Sequence, residues 1–368
     1  MRARWALRSI FFCVLFLASN ALAEQTILDS QGRSVRVPDR AERVLCSGPG
    51  CLRLLSYLQA LDLVVGVDSV ERPGAFEDSR PYALANPGLK QLPLFGESKG
   101  LDNAELIMAL DPKPQVIFKT FASMGHDAQL LQDKTGIPVV ALHYGNLTYA
   151  RPQLDRTLTL MAQITGRQER AKAVIAFLDA TRNDLQNRVK DAPERNKRSC
   201  YIGGVAMRGG HGFQATDPSY APFAFVDAAN VAAEAGSKDL DISHASVAKE
   251  QIVAWDPEFI FVDVSTTQLE GQAGGLYELK HNPIYQGVRA VREGRVYGLL
   301  ACNSYAQNYE SVQANAYFVG KLLYPDRFAD IDPKAKADEI YSFMVGAPVF
   351  AKLHLAAHDL LFAAAPLR

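Results

Sequence analysis

The residues best suited to grip a small solute stand in loops that directly follow short β-like runs. Ser47-Gly48-Pro49-Gly50 follows the run 44–46 and leads into Leu52-Arg53. A glycine turn of this kind can aim backbone N–H groups at a carboxylate or oxyanion from a helix start, and Arg53 adds positive charge. The same residues equally suit a plain turn that needs glycine. Lys119 follows the run 116–118, and His143-Tyr144-Gly145-Asn146 follows 139–142. Further on, Met207-Arg208-Gly209-Gly210-His211-Gly212-Phe213 follows 201–203 with glycines that let a backbone come close, and Asn303-Ser304-Tyr305 with Tyr309 follows 296–300. Arginine, lysine, tyrosine and histidine together suit an anionic metal chelate, through charge-assisted hydrogen bonds and aromatic contact. Direct ligation of a metal would draw on His143 and His211 with a tyrosine, although a lone loop histidine is more often an ordinary hydrogen-bonded residue.

Three other patterns suggest chemistry and are weaker. Gly96-Glu97-Ser98-Lys99-Gly100 satisfies G-x-S-x-G, which makes a serine hydrolase using Ser98 the enzyme alternative. That motif needs a helix starting at the serine, whereas Asp102 or Asn103 reads as the cap of a later helix. His354 and His358 have the i, i+4 spacing of a zinc pair but lack the adjacent glutamate, so packing or surface placement explains them better. Asn146-Leu147-Thr148 is a glycosylation sequon only in a secretory eukaryotic setting.

The elements that must position these residues alternate. Runs 44–46, 64–67, 116–118 and 139–142 are β-like and are separated by glycine, proline or amphipathic stretches, an αβ alternation. From Arg167 to Lys190, Ala171, Val174, Ile175, Leu178, Leu185 and Val189 keep a 3.6-residue period, which predicts one helix of roughly 36 Å. Ala192-Pro193 ends it, and a second series follows with strands near 199–203, 259–264 and 295–300. The two series share a repeat. Glu105-Leu-Ile107-Met-Ala109-Leu110-Asp111-Pro112 matches Glu250-Gln-Ile252-Val-Ala254-Trp255-Asp256-Pro257 at a constant offset of 145 residues. In each copy glutamate favours the helix start and Asp-Pro stops the helix before a buried strand.

A length of 368 residues exceeds one ordinary core, so two lobes are expected. The expected division is 1–23 export signal, 24–166 N-terminal lobe, 167–191 bridging helix and 192–368 C-terminal lobe with terminal helices. Arg2, Arg4 and Arg8, the apolar run 10–17 and Ala21-Leu22-Ala23 have the parts of a secretory signal cleaved after Ala23. A hydrophobic content of 48% excludes a disordered chain, and 39 basic against 40 acidic residues leaves no field to hold nucleic acid or an anionic membrane. The apolar stretch 349–365 is interrupted by Lys352, His354, His358 and Asp359, which suits a packed terminal helix rather than a span of ~20 apolar residues. Four cysteines follow the signal, Cys46, Cys51, Cys200 and Cys302. Cys46 and Cys51 could close a small disulfide loop, or Cys46 could be a buried strand residue; sequence leaves both open.

With the opening Asp29-x-x-Gly32-Arg33-x-Val35-x-Val37-Pro38 and the Glu293-Gly294-Arg295-Val296-Tyr297 turn, these features resemble the periplasmic solute-binding proteins of ABC importers for iron complexes and cobalamin. The resemblance covers most of the mature chain. It implies two Rossmann-like α/β lobes joined by a single long bridging helix, working as a monomer in the periplasm without chemistry or cofactor. It implies an iron complex, such as a ferric siderophore, held in the interlobe cleft and delivered to an ABC permease. A bare transition metal, a corrinoid or an oxyanion are the alternatives. By motif position Glu105 and Glu250 look like the permease-docking pair, although each also stabilises its own helix start. Cys46 and Cys51 depart from what siderophore binders would carry, which puts the ligand's identity in question.

Overall fold

A computed structural model describes residues 23–72, 79–193, 197–206, 210–235, 244–269 and 274–367. The export-signal segment before Ala23 and the candidate Arg208 lie outside the described residues.

The first lobe opens with a hairpin, β1 (Glu24–Leu28) against β2 (Ser34–Pro38). Asp29 makes its turn, accepting from the backbone N–H of Gln31 and Arg33 and from Arg33 Nε, all at 2.9 Å. Its second oxygen takes the N–H of Ala141, which pins the hairpin to the sheet. That sheet is parallel in the order β3 (Val44–Ser47), β7 (Val116–Thr120), β8 (Val139–Leu142). Beside it, β4 (Val67–Asp68), β5 (Leu94–Glu97) and β6 (Leu101–Asp102) form a smaller sheet, β6 returning antiparallel. The second lobe is built on β9 (Ser199–Gly203), with β11 (Ala229–Asn230), β13 (Phe259–Asp263) and β14 (Val296–Leu299) in the parallel order β11-β9-β13-β14. A short antiparallel pair, β10 (Ala215–Thr216) with β12 (Ala245–Ser246), lies at its side. Two α/β lobes are thus joined by a single helix, Gln168–Val189. It buries Ala171, Val174, Leu178, Thr181, Leu185 and Val189, the stripe that a 3.6-residue period demands.

Strand residues alternate between faces and so feed different cores. Leu45, Ile117, Val139 and Ala141 face one core with Ile107 and Leu131, and Tyr201, Ile260 and Val262 face another with Ile252 and Leu279. The opposite faces, Val44, Cys46, Val116 and Phe118 in one lobe and Cys200, Ile202, Phe259 and Phe261 in the other, belong to one continuous cluster. It runs through the connecting helix and through helices Tyr309–Leu323 and Pro333–Val345. Pro333–Val345 packs on Cys51–Tyr57 and Pro81–Ala85 of the first lobe, so the terminal helices serve both lobes.

The end of the chain differs from the expected terminal helix. The helix covers only Phe350–Ala356. His358 and Asp359 adopt left-handed backbone, and the chain returns alongside β14, with Phe362 N–H donating to Gly298 and Ala365 N–H to Val296. Those bonds cover an otherwise open sheet edge. His354 and His358 therefore do not share a helix face. Among the described residues no helix is long and apolar enough to cross a membrane.

Candidate functional site

The loops at the carboxyl ends of the strands meet between the lobes, where open α/β sheets collect ligands. Gly48 and Gly50 have φ of 86° and 74°. A Cβ on Gly48 would lie 2.5 Å from the Thr120 carbonyl, and one on Gly50 would lie 2.3 Å from the Tyr144 ring, so glycine is required at both. The turn is buried, and Thr120 Oγ1 donates to the Pro49 carbonyl at 2.8 Å.

Arg53, on the helix that follows, has no exposure. Its Nη2 donates to the Ser304 carbonyl at 2.7 Å; Nη1 donates to the Tyr144 hydroxyl at 2.9 Å and the Gln307 carbonyl at 3.1 Å. These three acceptors are brought by two segments far apart in sequence, and two of them belong to the opposing lobe. The nearest carboxylate, Glu310, stands 3.9 Å from Nε, beyond hydrogen-bond distance. Glu310 instead accepts from the Tyr57 hydroxyl. Burial alone would lower Arg53, but Tyr144, Glu310 and Tyr57 around it hold it above its usual range. Burial raises Glu310 despite the pull of Arg53, and it pushes Tyr144 up to about 12.

Tyr305 and Tyr309 also bridge the lobes. The Tyr305 hydroxyl donates to Asp68 at 2.7 Å and accepts from Lys99 N–H at 2.7 Å. Burial raises that aspartate to about 7 even though Tyr305 favours its charged form. The Tyr309 hydroxyl donates to the carbonyls of Tyr144 and Gly145. Phe121, Tyr144 and Tyr309 stack in series with centroids 5.6 and 5.1 Å apart.

The structure brings Arg53, Tyr144, Tyr305 and Tyr309 together and separates the other candidates. Lys119, read from sequence as pointing into the cleft, is instead fully buried, donating to Asp102 at 2.5 Å, to Ser47 Oγ at 3.0 Å and to the Gly100 carbonyl. Its charge, and with it Ser47, is committed inside the first lobe. His143 is exposed, and its Nδ1 accepts from Gly145 N–H of its own loop. His211 is half-buried with its ring 5.2 Å from that of His244. Among the described residues, no group of three or more His, Cys, Asp or Glu is placed to share a metal ion.

Sequence reasoning missed Tyr57, Glu310, Asp68 and Phe121. Tyr57 sits four residues after Arg53 on one helix, and Glu310 follows Tyr309, so spacing held a signal for both. Phe121 directly follows β7 with left-handed backbone (φ 48°) and is 38% exposed. Ser98 lies in a turn between β5 and β6 where no helix starts, its N–H donating to Ser69 Oγ, which is not a nucleophile elbow. The four cysteines among the described residues are buried free thiols, and burial, then the neighbouring Cys51, raises Cys46.

The chain belongs to the periplasmic binding protein family, whose model matches residues 44–301. It is the periplasmic substrate-binding component of an ABC importer, a protein that captures a transported ligand for membrane permease subunits and is neither an enzyme nor a cofactor carrier. It is 23% identical over 359 residues to the molybdate-binding protein MolA of Haemophilus influenzae, covering 91% of this chain and 95% of that protein. A 140-residue stretch, 38% of this chain and 43% of the relative, is 24% identical to an iron-uptake system-binding protein of Bacillus subtilis. The structure of Haemophilus influenzae MolA bound to molybdate matches the fold with a TM-score of 0.66 at 20% identity, covering 88% of this chain and 98% of that one. A periplasmic solute binding protein from Veillonella parvula gives 0.65 at 19%, covering 92% and 97%.

Proposed function

We propose that the cargo is a small anion of the oxyanion class, captured between the lobes with Arg53 as its anchor, and that the permease docks on Glu105 and Glu250. The observation that carries this reading is the bonding of Arg53: a wholly buried guanidinium at the lobe boundary spends its hydrogen bonds on carbonyls and a phenol, with its nearest carboxylate 3.9 Å away. An anion is a stronger partner for a guanidinium than a neutral carbonyl. A cargo oxyanion that displaced the loop at Ser304 and Gln307 would gain that difference. Lys119 is not poised in this way, because Asp102 takes a direct hydrogen bond from it at 2.5 Å, whereas Glu310 stands off from Arg53. The continuous core beneath the cleft restrains lobe separation, which favours a compact cargo. MolA, similar along most of the chain, is named for molybdate, an oxyanion.

A ferric chelate is the second reading. Phe121, exposed and stacked on Tyr144 beside the exposed His143, offers an aromatic face at the cleft mouth. Docking rests on Glu105 and Glu250, both exposed in the first turn of matching helices, Ala104–Ala109 and Lys249–Trp255, that start 145 residues apart. We divide the chain into lobes at 166 and 191, on either side of the connecting helix.

Titration calorimetry with molybdate, tungstate, sulfate and phosphate, and in parallel with ferric catecholate and hydroxamate complexes, tests the cargo. One-to-one binding of an oxyanion, lost in a folded Arg53→Met/Glu310→Leu variant, is the expected outcome. Binding of a ferric complex with every oxyanion silent would overturn it in favour of the second reading.

A further inference from the structure

A well-formed hollow lies within the first lobe, away from the Arg53 cluster. It has a volume of about 690 Å³ and lies between β5, β6 and the helices Ala104–Ala109 and Ala128–Thr135. Leu101, Leu106 and Leu130 line it while remaining 49%, 44% and 46% exposed, an unusual cost for three leucines on one face. Glu97 and Glu105 stand on its rim, both exposed, and neither forms an ion pair among the described residues. His126 and Lys134 line it as well.

The internal repeat does not carry these leucines into the second lobe: at its offset Leu101 and Leu130 correspond to Ser246 and Gly275. At the offset that aligns Glu105 with Glu250, Leu106 corresponds to Gln251, which is exposed and polar. Beside Glu250, Lys249 pairs with Glu278 at 3.3 Å. The two copies therefore keep the carboxylate and differ in what surrounds it, apolar in the first lobe and polar in the second.

We propose that the hollow is the seat for an apolar side chain on the periplasmic surface of the permease, next to a cation that pairs with Glu105 and Glu97. This rests on the reading that Glu105 faces the permease. Carboxylates on both lobes would permit docking in either of two orientations; a leucine-lined seat on only one lobe selects one of them.

The test uses the full mature chain and its cognate permease in lipid nanodiscs, with affinity read by biolayer interferometry. Leu106→Gln/Leu130→Gln should weaken permease binding by about tenfold or more, the change expected when two leucines lose their burial. Its melting temperature should stay at the wild-type value, since both side chains are exposed. Leu106→Met/Leu130→Met should bind like wild type, which separates apolar fill from general surface change. Wild-type affinity in the glutamine variant overturns the inference. Glu105→Ala measured alongside tells the failures apart: if it weakens binding while the glutamine variant does not, only the hollow is lost, and if neither does, the docking reading falls too. Weakening by the glutamine variant alone keeps the hollow and removes the carboxylate pairing. A dimer of the wild-type chain that the glutamine variant abolishes would assign the hollow to a second copy and overturn the proposal.

Discussion

Replacing Arg53 with methionine probes the lobe boundary most sharply, because it removes one charge of a pair with no exposure on either side. At 3.9 Å and an effective dielectric near 20, the attraction between Arg53 and Glu310 is about 4 kcal/mol. Removing one partner of a buried pair typically costs about 3–5 kcal/mol, since the other is left uncompensated. The same change strips the Ser304 and Gln307 carbonyls and the Tyr144 hydroxyl of a donor, though Tyr144 itself still donates to Gln307 at 2.7 Å. Arg53→Met should therefore lose about 3–5 kcal/mol in urea unfolding followed by circular dichroism. Glu310→Leu added to it should recover most of that loss, because no buried charge then remains. Burial already raises Glu310, and losing Arg53 removes a group that opposes that rise, so the loss should shrink as pH falls and the carboxyl is protonated. A loss below about 1 kcal/mol, or a double variant less stable than the single one, would refute the reasoning that Arg53 and Glu310 form one coupled unit.

Lys119→Met strands Asp102, whose Oδ1 already has no partner, and should destabilise by about 3–5 kcal/mol in the same assay. Oxyanion affinity of the folded fraction should be unchanged; lost affinity would return Lys119 to the cleft. Glu105→Ala with Glu250→Ala should abolish transport in an uptake assay while calorimetry finds cargo affinity intact, and unchanged uptake would remove the docking pair. Burial holds Asp68 and Asp217 up to about 7 and Asp263 to about 6. The folded chain thus keeps protons that the unfolded chain releases from about pH 4, so stability should fall as pH rises through that window and level off above about 7. Asp68→Asn should flatten part of this slope, and a urea midpoint that climbs from about pH 5 to about pH 8 would contradict it.

Much of the scaffold was legible because it follows from local pattern. The apolar runs that became β3, β7, β8, β9, β13 and β14 had to be buried, and the period of the connecting helix placed its ends within one or two residues of Gln168 and Val189. The repeated Glu-x-Ile-x-Ala starts gave two helices in equivalent positions. The last helix was overdrawn, since 349–365 is apolar enough for a helix but His358 and Asp359 turn the chain back onto β14. At the site, position was more legible than partnership. That Tyr144, Tyr305 and Tyr309 follow strand ends could be read directly. That Tyr305 meets Asp68, 237 residues away, could not, and neither could the inward course of Lys119, because a residue at a strand's end can join either the cleft or a buried ion pair. Only the antiparallel return of β6 puts Asp102 beneath Lys119 and decides between them.

The cargo is reached most directly by native mass spectrometry with elemental analysis on the protein taken from its own periplasm. Capture of a compact anion at Arg53 predicts one oxyanion-forming atom per chain, no iron, and loss of that mass in Arg53→Met/Glu310→Leu. An adduct carrying iron and the mass of an organic chelator, retained when Arg53 is replaced, would contradict it.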